Sequence, residues 1–271
     1  MSISLDNALW LAGIVTESII VGLLIYRRIW RVLPVFCIYL TWDLLANLAA
    51  FLIIRFYPNI YVASSIDRRI YFAFYMTQSV VDSALELAVL VELAWSVLRP
   101  MRASLPRVAL IVVCGFILAV GAIIWPFASL PALQHATSKL GLFFVQLQHT
   151  VSILRILFFL LLAAASQLLS MSWRDRELQV ATGMGFYSMA SVSVAMISAH
   201  QATLAQIYTL NEFAVAGALC CYLYWCVAFA QKEAARREFT PQMQSFLLSV
   251  AGAAHSTRVA LTDKPGQQKK S

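Results

Sequence analysis

The sequence predicts an all-α protein, a polytopic membrane helix bundle of about seven transmembrane helices, and three observations support this fold class. The chain has 271 residues, of which 61% are hydrophobic and 12% charged, whereas a soluble domain is about half apolar and about a quarter charged. Its mean hydropathy is +0.76. Apolar runs long enough to cross a bilayer core, about 20 residues each, alternate with charged or turn-forming clusters. These observations exclude a water-soluble enzyme.

Each apolar run is bounded by a cluster that ends a spanning helix. The clusters lie at 27–31, 57–69, 99–107, 129–138, 172–177 and 200–203. The predicted crossings lie near 8–26, 33–55, 70–98, 106–128, 139–171, 178–200 and 205–230. The cluster at 200–203 is the weakest, and a kink there instead of a loop would reduce the count to six. The first run lacks the basic start and cleavage site of a signal peptide, so we expect it to be retained.

The distribution of Lys and Arg predicts the orientation. Most of the 20 Lys and Arg residues lie in the clusters at 27–31, 99–107 and 172–177 or in the tail; the opposite connections contain Arg55, Arg68, Arg69 and Lys139. Because Lys- and Arg-rich loops stay in the cytoplasm, we expect an outside amino terminus and a cytoplasmic carboxyl terminus in a plasma (inner) membrane. Loops facing anionic lipid explain the net charge of +7, so no nucleic-acid partner is needed.

Polar side chains near the centres of the crossings are the candidate functional residues. A charged group at the centre of a spanning helix costs about 2.5–3.5 kcal/mol on insertion scales, so it needs a partner, water or a proton. Gln78, Asp82 and Glu86 recur at every fourth position and therefore share one helix face. The predicted ligand or proton pocket consists of Asp43, Asn47, Gln78, Asp82, Glu86 and Arg155, with Glu17, His149 and Glu212 as secondary polar positions.

The charges of these candidates do not cancel. The carboxylates are Glu17, Asp43, Asp82, Glu86 and Glu212, and the permanent cation is Arg155. Full ionisation would leave about four uncompensated negative charges in a low dielectric. We therefore expect some carboxyl groups to hold protons, or the pocket to hold water, a cation or a cationic ligand. Arg155 is expected to pair with Asp82 or Glu86, and the sequence leaves this choice open.

The same residues have a structural interpretation. Membrane helices associate partly through interhelical hydrogen bonds, which average well under ~1 kcal/mol. Asn47, Gln78, Glu17 or Glu212 would each fit that role, and His149 is expected to be an ordinary hydrogen-bonded histidine. Asp43, Asp82, Glu86 and Arg155 together place more charge at one depth than packing requires, so this set favours a functional site.

Catalysis, metal binding and cofactor binding have no support in the sequence. The patterns HExxH, GxSxG and GxxxxGK[ST] do not occur. The five Cys residues lie in apolar segments without a CxxC spacing, so buried thiols are expected. Gly183 and Gly185 lack the rest of a nucleotide-binding fingerprint and indicate a small-residue face for helix packing.

The chain divides into a membrane bundle, residues 1–230, and a cytoplasmic tail, residues 231–271. The tail is predicted to contain a charged stalk, then a short amphipathic helix with Thr240 as N-cap and Pro241 at its first position, and a disordered basic end. That helix is expected to lie on the inner leaflet; docking to a cytoplasmic partner is the alternative.

Two segments carry a resemblance to known proteins. They are Val91-Glu92-Leu93 to Val97-Leu98-Arg99-Pro100, and Arg236-Arg237-Glu238-Phe239-Thr240-Pro241. Together with the seven-helix layout they resemble an uncharacterised bacterial family of seven-helix membrane proteins, similar to the sensor modules that precede histidine kinases. The resemblance implies a seven-helix fold. The tail of about 40 residues is too short for a kinase output domain, which departs from the kinase pattern.

The leading functional hypothesis is a stand-alone receptor-like or regulatory protein whose pocket senses protons or a small ligand. A proton- or cation-coupled carrier of a small solute is the second hypothesis. Many carriers consist of two similar halves with helices that Pro or Gly interrupts. Here the prolines lie outside the helix interiors and the two halves of the chain do not align, so both observations disfavour a carrier. The third hypothesis is an accessory subunit whose polar face meets another membrane protein.

Overall fold

A computed structural model of the chain describes residues 5–56, 65–97, 108–128, 139–166, 175–200 and 204–231. Within these ranges all regular structure is helical, and no strand occurs. The α-helices are α1 (Leu5–Tyr26), α2 (Pro34–Phe56), α3 (Ser65–Val97), α4 (Val108–Ile124), α5 (Lys139–Ala165), α6 (Arg176–His200) and α7 (Leu204–Ala230). Short 3₁₀ helices cover Ile29–Arg31 and Trp125–Ala128. The predicted tail helix lies outside the described residues.

Six of these helices are long and apolar enough to cross a membrane. The candidate spans are Ala8–Tyr26, Pro34–Ile53, Leu110–Ala128, Gly141–Ala164, Arg176–Ile197 and Glu212–Ala230. The 33-residue α3 is the remaining helix, and its mid-helix carboxylates and Gln78 reduce its hydropathy. The predicted class is therefore confirmed at the level of an all-helical bundle, within the described residues, with six to seven helices that are long and apolar enough to span a membrane.

Six helices form a closed ring. The order around the ring is α1, α2, α3, α5, α6 and α7, and α7 packs against α1. Helix α4 lies outside the ring against α3 and α5, and it exposes apolar side chains such as Ile111, Phe116 and Leu118. Because α3 is a member of the ring, its polar face can lie toward the ring centre and away from lipid.

Helices α6 and α7 are an antiparallel pair. Gly183 on α6 faces Trp225 on α7, and further along α6 Ala190 faces Gly217. The two helices therefore run in opposite directions. Because a kinked single helix would continue in roughly one direction, α6 and α7 are two helices and not one. A Cβ atom at Gly183 would overlap the Trp225 indole, and one at Gly185 would overlap Phe159. Both glycines therefore allow close helix packing, but against two different helices, α7 and α5, and not through the single face that was predicted.

A dense apolar region closes the end of the bundle where α2 and α6 begin. We call it the apolar plug, and its residues are Leu33, Phe36, Val89, Leu93, Trp225 and Phe229. All except Trp225 are 0% exposed. The Phe36 ring meets those of Trp225 and Phe229 edge to face, with centroid distances of 5.3 Å and 6.0 Å. The plug therefore fills this part of the ring with tightly packed apolar and aromatic side chains.

Glu92 caps the amino terminus of α2 from the neighbouring helix α3. Its carboxylate accepts hydrogen bonds from the backbone N–H groups of Val35 and Phe36, both at 2.8 Å. These groups have no intrahelical acceptor, and the helix dipole places partial positive charge there. Leu33, which precedes the helix, has no side-chain oxygen that could cap it. Glu92 therefore stabilises the start of α2, a role that the sequence alone does not indicate.

The fifth crossing is shorter than predicted. The expectation was a segment to residue 171, but α5 ends at Ala165. The backbone N–H and the hydroxyl of Ser166 both donate to the Ala163 carbonyl, at 3.4 Å and 2.7 Å. Local hydrogen bonding by a serine satisfies a terminal carbonyl and ends the helix there.

The sixth helix begins earlier than predicted, at Arg176 instead of residue 178. Arg176 and Glu177 are therefore buried helix residues and not loop charges. The Arg176 guanidinium donates to the carbonyls of Ala228 at 2.9 Å and Gln231 at 2.8 Å. Arg27 donates to the Ala230 carbonyl at 2.6 Å. Two arginines thus satisfy terminal carbonyls of α7, where the helix dipole is negative.

Candidate functional site

A polar cavity lies at the centre of the helix ring. Its larger part has a volume of about 350 Å³ and adjoins a smaller part of about 90 Å³. We call the two parts together the central cavity, because Asp43, Asp82, Gln148, Tyr187, Ala218 and Tyr222 line both.

The structure brings all six predicted pocket residues to this cavity. Asn47 and Gln78 line the larger part, Glu86 and Arg155 line the smaller part, and Asp43 and Asp82 line both. Of the secondary positions, Glu17 lines the larger part, whereas His149 and Glu212 line neither part. Glu17 therefore lies at the same cavity as the six predicted pocket residues, and its hydrogen-bond partner Asn47 comes from another helix.

The central cavity is closed toward the apolar plug. Its larger part follows α1 from Leu9 near the helix start to Glu17. Its smaller part is lined by Met184 and Trp225, which also belong to the buried apolar cluster that contains the plug. The cavity therefore extends toward the end of the bundle where α1 begins and stops at the opposite, apolar end.

Arg155 forms a buried ion pair with Glu86. The distance from Arg155 Nη1 to Glu86 Oε1 is 2.6 Å, and the two side chains are 2% and 9% exposed. Nη2 donates to Ser152 at 3.2 Å, and the guanidinium lies 5.5 Å from the centre of the Tyr187 ring. Of the two partners that the sequence left open, the structure selects Glu86. Arg155 Nε is buried without a hydrogen-bond partner.

Asp43 and Asp82 are bound by neutral donors. The Tyr222 hydroxyl on α7 donates to Asp43 at 2.8 Å, and the Trp42 indole N–H donates to Asp82 at 2.8 Å. A phenol and an indole stabilise a carboxylate by hydrogen bonding, but they contribute no positive charge. Any negative charge on these two groups therefore remains uncompensated by these donors.

Glu17 has one oxygen satisfied and one oxygen unsatisfied. Asn47 Nδ2 donates to Oε1 at 2.9 Å, whereas Oε2 is buried without a hydrogen-bond partner. The residue is 3% exposed. An unsatisfied buried acceptor costs about 1–3 kcal/mol. Glu17 therefore lines the larger part of the cavity and has one acceptor that no described protein group satisfies.

The predicted pocket residues did not include the aromatic residues of the site. Tyr39, Trp42, Tyr187 and Tyr222 contact or line the polar cluster. Their signal in the sequence is weak, because Tyr and Trp lie within apolar runs and are enriched at membrane interfaces as well. Only the packed helices show that Trp42 and Tyr222 donate to carboxylates.

Comparisons of the chain with protein-family models, curated proteins and solved structures found no match. The resemblance to seven-helix sensor modules therefore stays a prediction. The fold and the site themselves define the class of protein: a helical membrane protein with an acidic cavity inside its bundle.

Proposed function

We propose that this protein is a receptor-like or regulatory membrane protein whose central cavity binds protons or a small ligand from one side of the membrane. The observation that carries the proposal is the single-ended cavity that collects Asp43, Asp82, Glu86 and Arg155 from three helices. Ionisable residues that face an intramembrane cavity mark functional sites more often than packing sites. The larger part of the cavity falls at the lower end of the range for small-molecule sites, about 300–1,000 Å³.

The proposed topology has seven crossings, with α3 as the third, an outside amino terminus and a cytoplasmic carboxyl terminus in a bacterial plasma membrane. The ring position of α3 supports its inclusion, because its polar residues face the cavity. Arg27, Arg28 and Arg31 follow α1 at the end that carries the plug, as the positive-inside rule requires of a cytoplasmic side. In this topology the central cavity opens to the outside.

Helix α7 provides the proposed link from the cavity to the cytoplasmic end. Tyr222 donates to Asp43, and its ring contacts Trp225 at a centroid distance of 6.2 Å. Trp225 and Phe229 both contact Phe36 in the plug. A ligand or proton that changes the charge at Asp43 would change the Tyr222 hydrogen bond and bias the packing of this face of α7.

The plug supports a receptor over a proton- or cation-coupled carrier. A carrier would have to open the plug in every cycle, and most plug residues are 0% exposed. The Arg27 and Arg176 hydrogen bonds also hold the end of α7 beside it. Flux of small solutes in reconstituted vesicles that depends on Asp82 and Glu86 would reverse this preference.

Cysteine accessibility tests the single-ended cavity. Ser79→Cys places a thiol in the cavity on α3, and Val89→Cys places one in the plug on the same helix. In intact cells we expect a neutral, membrane-impermeant thiol reagent to modify Ser79→Cys above the background of the five native cysteines and to leave Val89→Cys unmodified. No labelling of Ser79→Cys, or equal labelling of both variants, contradicts the proposal.

A further inference from the structure

We propose that the larger part of the central cavity binds a small protonated amine, whose ammonium group lies against Glu17 and Asp43. This inference deepens the proposed function and rests on it. It names the chemical class of the ligand, which the proposed function leaves open.

The charge of the cavity wall favours a cation. Glu17, Asp43 and Asp82 line the larger part, and the hydrogen-bond donors that reach them are an amide, a phenol and an indole. The guanidinium that could neutralise them, Arg155, is already bonded to Glu86 at the deeper end. A bound cation would offset the repulsion among these carboxylates at the place where it is uncompensated.

Glu17 distinguishes an amine from other cations. Its Oε2 is buried without a hydrogen-bond partner, and the residue lines the larger part of the cavity. Such an acceptor requires an N–H or O–H donor, and a charge-assisted hydrogen bond from an ammonium N–H is the strongest option. A quaternary ammonium ion has no N–H and would leave this oxygen unsatisfied.

The shape and the aromatic lining also fit an organic cation. Among the described residues, no group of three His, Cys, Asp or Glu side chains could hold a metal ion. Instead, Trp10, Tyr75, Tyr187 and Tyr222 line the cavity beside the carboxylates. Aromatic faces attract ammonium groups through cation–π interactions.

Apolar side chains complete the cavity around the remainder of the ligand. Ile14, Val215 and Leu219 line the larger part. They suit a short aliphatic or aromatic group attached to the amine, because burying that group is favourable. The volume of about 350 Å³ limits the ligand to a small molecule.

The test measures binding to the purified full-length protein in lipid nanodiscs. The probes are butylammonium and benzylammonium, with butanol, benzyl alcohol and tetramethylammonium as matched controls, followed by thermal unfolding and calorimetry. We expect at least one primary amine to raise Tm and bind, and the two alcohols and tetramethylammonium to bind at least about tenfold more weakly. Binding of alcohols as tight as that of amines, or absence of amine binding, overturns the proposal.

Variants locate the site. Glu17→Gln should weaken amine binding at least about tenfold, since the amide loses the charge, whereas Glu212→Gln, outside the cavity, should leave it unchanged. If Glu17→Gln does not fold, Asp43→Asn serves as the second variant. Equal amine affinity in the wild type and both cavity variants contradicts the assignment.

A separate measurement distinguishes failure of the amine proposal from failure of the proposed function. Ser79→Cys is treated with a cationic and an anionic methanethiosulfonate reagent, and each rate is divided by the rate for free cysteine in solution. We expect the cationic reagent to be favoured in this ratio. Labelling at equal relative rates would support an accessible cavity but contradict the amine proposal. No labelling by either reagent would contradict the accessible cavity as well.

Discussion

Each carboxylate that lines the central cavity accepts a hydrogen bond from a residue on another helix. The pairs are Glu17 with Asn47, Asp43 with Tyr222, Asp82 with Trp42, and Glu86 with Arg155. Three of the donors are neutral and one is charged, so the pairs differ in kind. The neutral pairs face the larger part of the cavity, while the ion pair lies at its deeper end.

The ion pair leads to a prediction about stability. Glu86→Gln should lower the free energy of unfolding by about 3–5 kcal/mol, because it leaves the buried Arg155 charge without a counter-ion. Chemical unfolding of the detergent-solubilised protein measures the change. The double variant Glu86→Leu with Arg155→Met should recover much of this loss, since replacing both charges by apolar groups is often nearly neutral. Additive losses in the double variant would show that the pair is not coupled.

The helix cap supplied by Glu92 leads to a second prediction. Glu92→Ala should reduce stability by about 1–2 kcal/mol, because two N–H groups at the start of α2 lose their acceptor. Thermal unfolding in the same detergent measures it. Glu212→Ala is the control and should change stability by less than about 0.5 kcal/mol. Equal effects of both variants would argue against the cap.

At the scale of the helices, close packing depends on small residues as well as on large ones. Trp225 reaches the Gln179 carbonyl on α6, with its indole N–H donating at 3.2 Å. It can do so because Gly183, one turn further along α6, has no side chain in the way. Close contact between α6 and α7 therefore depends on one glycine and one tryptophan on facing positions.

A glycine comparison tests this contact. Gly183→Ala should destabilise the protein by about 1–3 kcal/mol, since the added methyl group overlaps the Trp225 indole. Gly22→Ala is the matched control: a Cβ atom there meets nothing within 4 Å. We expect it to be neutral or to stabilise α1 by up to about 1 kcal/mol. The measurement is the Tm of both variants in the same detergent. A Tm for Gly183→Ala equal to that of the wild type would contradict the proposed contact between α6 and α7.

At the scale of the whole molecule, the arrangement is inverted relative to a soluble protein. Apolar side chains such as Leu45, Leu161 and Phe213 are exposed around the bundle, whereas carboxylates and amides line its centre. One end of that centre is closed by the apolar plug. This polarity along the ring axis gives the molecule two different ends, which suits a protein that responds on one side to an event on the other.

The proposed topology makes a prediction at this scale. Seven crossings place the two chain ends on opposite sides of the membrane, whereas six would place them on the same side. A green fluorescent protein fused after residue 271 should fluoresce, because it folds in the cytoplasm, and the same reporter fused before residue 1 should not. Fluorescence from both fusions would exclude α3 as a crossing or require another helix to be removed from the count.

The apolar runs determined most of the helix positions, because the thickness of a bilayer demands long uninterrupted segments. The spacing of Gln78, Asp82 and Glu86 also determined that they share a face, since that follows from helix geometry alone. Helix ends were less predictable. At the end of α5, the Ser166 hydroxyl donates to the Ala163 carbonyl, and at the start of α6, Arg176 donates to the Ala228 carbonyl on α7.

Only the tertiary structure decided which partner each polar residue has. Hydropathy and periodicity describe one helix at a time, whereas a hydrogen bond across the ring depends on which helices are neighbours and how each is rotated about its axis. For this reason the sequence named Arg155 and two possible partners, and the structure selected Glu86. The same reason explains why Glu92, Trp42 and Tyr222 acquired their roles only when the ring closed around them.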